Sequence, residues 1–354
     1  SLWRYETLLP GGPGIDRVDL GAGFTPLRRA DRLAQRLGLE TLWIKDDSGN
    51  PSNSFKDRVV SVATTMARAF GFEAISCAST GNLANATAAH AAKAGMPCYV
   101  FVPDDLERAK ILATEAYGAR VVAVKGDYDA VNRLCSEVAE ALPWAFVNVN
   151  MRPFYAEGSK SLGFEVAEQL GWRLPDHVVV PIASGALMTK VHRAFRELAA
   201  IGAVEDRPFR ISGAQAEGCS PVARAFAEGA DEVRPMKPNT IARSLAIGSP
   251  ADGAYAIHTA RETGGAIDAC TEAEVIDGIG LLAETEGVFT ETAGGVTVSV
   301  LKRLVEGGAI RRDEETVALV TGNGYKTIEA LEGTLEPSYH VRPDLDEFLS
   351  VLEG

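Results

Sequence analysis

Four short segments of this 354-residue chain combine polar side chains and glycines in ways that could do chemistry. In the first, Asn50-Pro51-Ser52-Asn53-Ser54-Phe55-Lys56-Asp57-Arg58 precedes apolar residues at Val59, Val60, Ala63, Met66, Ala67 and Phe70. Ser54 followed by Asp57 three positions on has the form of a capping box, which predicts a helix start. Lys56 then falls in the first turn, near the positive end of the helix dipole. That position disfavours the ammonium and helps supply a neutral amine, the species that forms a Schiff base. The plain alternative is a solvated lysine at a helix start.

The second segment, Ser79-Thr80-Gly81-Asn82, lies between an expected strand and an expected helix. Backbone N–H groups at a helix start form an anion nest suited to a carboxylate. Asn82 offers an amide that can meet a ring hydroxyl or its oxyanion; the alternative is a good N-cap and a tight turn. The third segment is Pro181-Ile182-Ala183-Ser184-Gly185-Ala186-Leu187, again between a strand and a helix. Its small residues let backbone amides close around a phosphate at the helix N-terminus. A plain connecting turn would read the same way, and Lys190 lies too deep in the helix to serve as a Walker A lysine. The fourth, Val320-Thr321-Gly322-Asn323-Gly324-Tyr325-Lys326, offers a hydroxyl that could meet a pyridine nitrogen without fully protonating it. Without a ligand it is a strand end running into a glycine-rich turn.

The elements that must position these segments alternate between short apolar runs and amphipathic stretches. Strands are expected over 41–44, 74–77, 97–102, 120–124, 146–148, 177–181, 210–214 and 317–321. Helices are expected over 57–69, 83–94, 130–141, 158–170, 187–198, 273–286 and 294–306. The alternation predicts an α/β fold with parallel sheets covered on both faces and right-handed crossovers. Gly11-Gly12-Pro13-Gly14 reads as a loop. The compact, alanine-rich series over 60–150 suggests a smaller unit inserted into a larger one made of 1–59 and 151–354.

Bulk properties narrow the function classes. A net charge of −13 disfavours a nucleic-acid surface, and any anionic substrate must be drawn in by a local cationic pocket. Five cysteines without a C-x-x-C pair read as reduced thiols in a cytoplasm and give no zinc site. No run approaches the ~20 apolar residues that span a bilayer, and no signal peptide is visible. A soluble, cytoplasmic protein without bound metal is the expectation. The five histidines do not cluster, and His192 reads as structural. Glu157 and Glu165 read as surface or capping carboxylates. Ser54 and Ser184 lack a His/Asp arrangement, and Gly21-x-Gly23 precedes no obvious helix, so neither a serine hydrolase nor a dinucleotide fingerprint is supported.

Taken in order, a lysine motif, Ser-Thr-Gly-Asn, a small-residue loop and a Thr-Gly resemble the fold-type II pyridoxal-phosphate (PLP) enzymes. The opening Leu2-Trp3-Arg4-Tyr5 and Leu8-Leu9-Pro10 narrows the resemblance to the threonine synthases. Leu20 to Leu27 and the stretch Asn239-Thr240-Ile241-Ala242 through Ala251 are similar to theirs as well. The resemblance implies two open, twisted, mostly parallel sheet domains with PLP in the cleft between them, and a homodimer. It makes Lys56 the Schiff-base lysine and proton shuttle. Asn82 would hold the PLP 3′-oxygen, Ala183, Ser184, Gly185, Ala186 and Leu187 its phosphate, and Thr321 its ring nitrogen. Ser79, Thr80, Gly81 and Asn82 would receive the carboxylate of a small anionic amino-acid substrate. Arg152, Ser159 and Lys160 would meet the substrate's leaving phosphate.

The implied reaction converts O-phospho-L-homoserine and water to L-threonine and phosphate. The rivals are a serine/threonine dehydratase, a phosphoserine-using synthase such as a cysteate synthase, and a PLP-binding protein without turnover. Three positions depart from the usual family pattern. The phosphate loop lacks its common Gly-Asn-x-Gly-Asn form, Leu83 follows Ser-Thr-Gly-Asn where a hydroxyl residue is common, and Tyr155 stands where an arginine precedes the Glu-Gly-x-Lys motif. The last two touch the substrate pocket.

Overall fold

A computed structural model describes residues 1–79, 81–104, 109–126, 128–334 and 337–352. Among the described residues, ten strands build two sheets: β1 (Leu27–Arg29), β2 (Leu42–Asp46), β3 (Ala74–Ala78), β4 (Cys98–Pro103), β5 (Arg120–Val124), β6 (Trp144–Phe146), β7 (His177–Pro181), β8 (Arg210–Ala216), β9 (Ile267–Cys270) and β10 (Thr316–Val320). One sheet has the order β1-β2-β10-β7-β8-β9 and the other β5-β4-β3-β6. Every pairing is parallel except that of β1 with β2. The α/β architecture therefore matches what the alternating pattern predicts.

The physical reason is visible strand by strand. β3, β7 and β10 are buried at every residue, because helices cover both faces of a parallel sheet. Their sequences accordingly run apolar without alternation. In the larger sheet one face packs Val178, Val180, Val317 and Leu319 into one core, and the other packs Val179, Ala318 and Val320 into a second. The strands of the smaller sheet all fall within residues 74–146, which leads us to propose 60–150 as an inserted unit.

Several local expectations are corrected. β1 and β9 are too short to show a periodic signal, and β6 begins two residues earlier than expected, at Trp144. The helix expected over 158–170 is present as Lys160–Gln169, and a second helix that was not expected, Arg152–Gly158, precedes it across a hinge at Ser159. The hinge lets Gly158 approach the first turn of the lysine helix, where a Cβ would meet the Arg58 carbonyl oxygen and Val59 Cα at under 3.0 Å. Among the described residues no helix is long and apolar enough to cross a membrane.

Glu165 is also corrected: it is a core residue, fully buried in an ionic network. Arg58 donates from Nη1 to Glu165 Oε1 at 2.6 Å and from Nε to Asp47 Oδ2 at 2.6 Å. Lys45 Nζ reaches Glu165 Oε2 at 2.7 Å and the Thr25 carbonyl oxygen at 2.6 Å. Burial alone would raise the Glu165 carboxyl, but Arg58 and Lys45 hold it at about 2. Two cations and two carboxylates, all without solvent exposure, lock the lysine helix to β2 and to the helix Lys160–Gln169.

Candidate active site

Each of the four segments follows the C-terminal end of a strand, where open parallel sheets place their ligand sites. The chain leaves β2 into the lysine segment, β3 into Ser79–Asn82, β7 into the small-residue loop and β10 into Thr321. Lys56, Asn82, the loop Ala183–Leu187 and Thr321 line one cleft of about 590 Å³ open to solvent.

Lys56 is the first residue of the helix Lys56–Ala69. The reciprocal box expected between Ser54 and Asp57 does not form. The Lys56 N–H reaches Ser54 Oγ at 3.3 Å, but the Asp57 carboxylate turns back to the Ser52 N–H at 2.7 Å and the Ser52 hydroxyl at 2.9 Å. That contact folds the loop ahead of the lysine, helped by Asn53 in the left-handed region at φ 62°. The folded loop is then stitched to the segment after β10. The Phe55 N–H donates to the Thr321 carbonyl at 2.8 Å and the Asn323 N–H to the Asn53 carbonyl at 3.1 Å. Lys56 and Thr321, 265 positions apart in sequence, are thereby held on one local ladder. The Lys56 ammonium lies 5.3 Å from the Phe55 ring centre and 5.6 Å from that of Tyr155.

The small-residue loop turns into the helix Ala186–Ala200 at Gly185, whose φ is 98°. A Cβ there would lie 2.5 Å from the Asp252 carbonyl oxygen, so only glycine lets the backbone close this tightly. The first-turn amides of a helix have no carbonyl partner within it, and here they face the cleft with small side chains around them. This cradle fits a phosphate. Asn82 opens the helix Asn82–Ala94, and the Gly81 N–H reaches Ser79 Oγ at 3.4 Å in the preceding turn. Thr80, the other residue expected to receive a carboxylate, lies outside the described residues.

The expected phosphate-binding trio separates. Ser159 is buried and lines the cleft. Arg152 stands behind the small-residue loop, paired through Nη2 with Asp252 Oδ2 at 2.6 Å. Lys160 corrects the expectation outright: it is buried away from the cleft lining, with Nζ 3.0 Å from the Leu8 carbonyl, 2.9 Å from Glu197 Oε2 and 2.7 Å from Glu157 Oε2. An ammonium whose three donors are already engaged has none left for a substrate. Glu157 is correspondingly an ion-pair partner of Lys160 and Lys190.

Two residues of the site escaped the sequence reading. Glu291 is buried in the cleft lining, and its Oε2 accepts the Asn82 amide at 2.8 Å. Burial raises its carboxyl above the ordinary range, against the lowering effects of Asn82, Lys326, Lys56 and Thr321. Lys326 has its ammonium weakened by burial and faces both Glu291 and Asp57. A glutamate just ahead of a helix reads as a cap, which is why Glu291 carried no functional signal.

A lysine at a helix start, an amide, a phosphate cradle and a hydroxyl in one cleft define the class: a PLP enzyme of fold type II. The family described as "Pyridoxal-phosphate dependent enzyme" matches residues 18–322. The chain is 35% identical over 356 residues to the threonine synthase of Methanocaldococcus jannaschii, covering all of this chain and 87% of that protein. It is 32% identical over 364 residues to the threonine synthase of Halalkalibacterium halodurans, covering all of this chain and 99% of that protein. Among solved structures, an O-ureido-L-serine synthase shares the fold at a TM-score of 0.73 and 21% identity, over 96% of this chain and 100% of that one. The chain belongs to the pyridoxal-phosphate-dependent enzymes, in their threonine synthase family. Its cofactor is pyridoxal 5′-phosphate, and it is a PLP-dependent lyase.

Proposed function

We propose that the enzyme converts O-phospho-L-homoserine and water to L-threonine and phosphate. The observation that carries the substrate is the similarity to threonine synthases along the whole chain, at 35% and 32% identity. PLP supplies the electron sink for bond breaking next to the substrate amine. The protein's own groups do the rest. Lys56 Nζ would hold the cofactor through its aldehyde carbon and, once freed by the substrate amine, would serve as the base for the substrate Cα proton. The amides of Ala183–Leu187 hold the cofactor phosphate, and Thr321 Oγ1 meets the ring nitrogen. Backbone N–H groups of Ser79, Gly81 and Asn82 would receive the substrate carboxylate. Across the reaction the Cγ–O bond breaks and phosphate leaves with its electron pair, a proton lost from Cβ is matched by one gained at Cγ, and water supplies the hydroxyl on Cβ and the proton on the released phosphate; Lys56 would return the proton to Cα.

Arg152 and Ser159 are assigned to the leaving phosphate. Arg152 lies next to the cofactor loop and reaches a substrate only by leaving Asp252. That requirement favours one second reading, a serine/threonine dehydratase, because among the described residues that line the cleft Lys56 is the only cation. The experiment is mass-spectrometric product analysis of the PLP-loaded protein with O-phospho-L-homoserine, L-serine and L-threonine. Threonine and inorganic phosphate from the first substrate support the synthase. A 2-keto acid and ammonia from the others, with phosphohomoserine untouched, would replace it by the dehydratase. A homodimer is the expected assembly, checked by light scattering.

A further inference from the structure

Among the described residues that line the cleft, Glu291 is the only acidic one. It stands at the N-cap of the helix Thr292–Glu306, yet its side chain does not cap that helix. Its backbone N–H donates to the Gly322 carbonyl at 3.0 Å, and a Cβ at Gly322 would run into its carboxylate. The carboxylate is thus wedged against the turn that follows β10. Charged and polar groups face it from each surrounding element: Lys56 from the lysine helix, Asn82 from the helix Asn82–Ala94, Thr321 at the end of β10, and Lys326 from the turn beyond. Asp57 faces Lys326 from the other side. A buried carboxylate persists only with such compensation.

What the carboxylate does follows from hydrogen-bond chemistry. Burial favours the neutral acid at Glu291, and Asn82, Lys326, Lys56 and Thr321 favour the carboxylate; in that ionised form it only accepts, while a side-chain amide has two hydrogens on nitrogen and none on oxygen. Glu291 Oε2 therefore selects the nitrogen of Asn82, at 2.8 Å, and rejects the flipped amide. One Asn82 hydrogen is engaged there, and the second remains for the cleft.

We propose that Glu291 is a positioning residue for the cofactor: its carboxylate keeps the Asn82 amide nitrogen turned inward, toward the cofactor's 3′-oxygen, and its negative charge favours the proton on Lys56 Nζ once that nitrogen is bonded to the cofactor. The proposal rests on the reading of Lys56 as the cofactor lysine. A glutamine at 291 has the same size, lacks the charge, and offers an NH2 that invites Asn82 to flip. Loss of the charge disfavours the protonated nitrogen, and Glu291→Asp, which keeps the charge, isolates that effect.

The test uses PLP-loaded wild type, Glu291→Gln and Glu291→Asp. Borohydride reduction and peptide mapping first locate the label, and the visible absorption of the bound cofactor is then titrated against pH. We expect the label on Lys56 in all three proteins. We expect the titration midpoint to fall by about one pH unit or more in Glu291→Gln and to stay nearer wild type in Glu291→Asp, which keeps the charge. A merely structural role would lower the urea midpoint and leave the absorption titration unmoved. With Lys56 labelled, an unshifted midpoint in Glu291→Gln overturns the role of Glu291 and leaves the lysine assignment standing. A label on another lysine of the wild type overturns both.

Discussion

Lys56 and Arg58 stand two residues apart in one motif and serve opposite ends. At about 100° per residue they point to nearly opposite sides of their helix. Lys56 looks into an open cleft, with aromatic rings near its ammonium. Arg58 is fully buried, with Asp47 and Glu165 engaging its guanidinium. The contrast separates chemistry from scaffold. On the proposed function, a group that must change bonding partners is left available on the cleft side, while a group that holds the helix in place has its donors satisfied on the core side.

The sharpest way to break this comparison is Lys56→Ala. Threonine formation should be abolished, while the urea midpoint should correspond to a stability change within about 0.5 kcal/mol, as expected for a site that carries little packing. Residual turnover would end the role of Lys56, and unfolding would show that the cleft side is also scaffold. Arg58→Met tests the core side. It leaves buried carboxylates uncompensated and should cost about 3–5 kcal/mol in urea denaturation. An unchanged midpoint would mean that the network does not hold the helix.

A pH series sharpens the same side. The Glu165 carboxyl sits at about 2 in the folded protein, against a reference value of 4.5. A depressed folded value means that its contribution is complete above about pH 4.5 and is lost as pH falls toward 2. That contribution is about 3 kcal/mol by linkage. Glu165→Gln should be less stable at neutral pH and should show a shallower acid dependence. A parallel curve would show that other carboxylates set the acid limit.

The smallest effects are expected at the residues behind the cleft. Arg152→Ala should lower kcat/KM for phosphohomoserine by roughly ten- to a hundredfold, the loss of one charged hydrogen bond. Turnover of an unphosphorylated amino acid should be spared. Lys160→Ala should show no such selectivity, because its ammonium is bound to Leu8, Glu157 and Glu197. A selective loss in Lys160→Ala, with none in Arg152→Ala, would reverse the placement of the two.

Much of the architecture was legible from residue order. Continuous apolar runs at 177–181 and 317–321 could only be strands covered on both faces, and the structure buries every residue of β7 and β10. Short edge strands were not legible, since three or four residues show no period. Gly185 was legible as a turn residue, whereas its clash partner, the Asp252 carbonyl, was not.

What the sequence by itself determined was therefore local: which stretches are helix or strand, and which turns can present an amine, an amide, a hydroxyl or a ring of backbone N–H groups. Which of those turns meet was decided by the tertiary structure. The order of strands set β2, β10 and β7 side by side, and the ladder from Phe55 to Thr321 joined two of the turns. The same was true of the charges. Glu165 and Glu291 carry the same side chain, the first read from the sequence as a surface or capping carboxylate and the second given no role there. One is held by Arg58 and Lys45 in the core, and the other is aimed at Asn82 across the cleft. A carboxylate's role depends on the solvent and counter-charges around it, and partners more than a hundred positions away supply both.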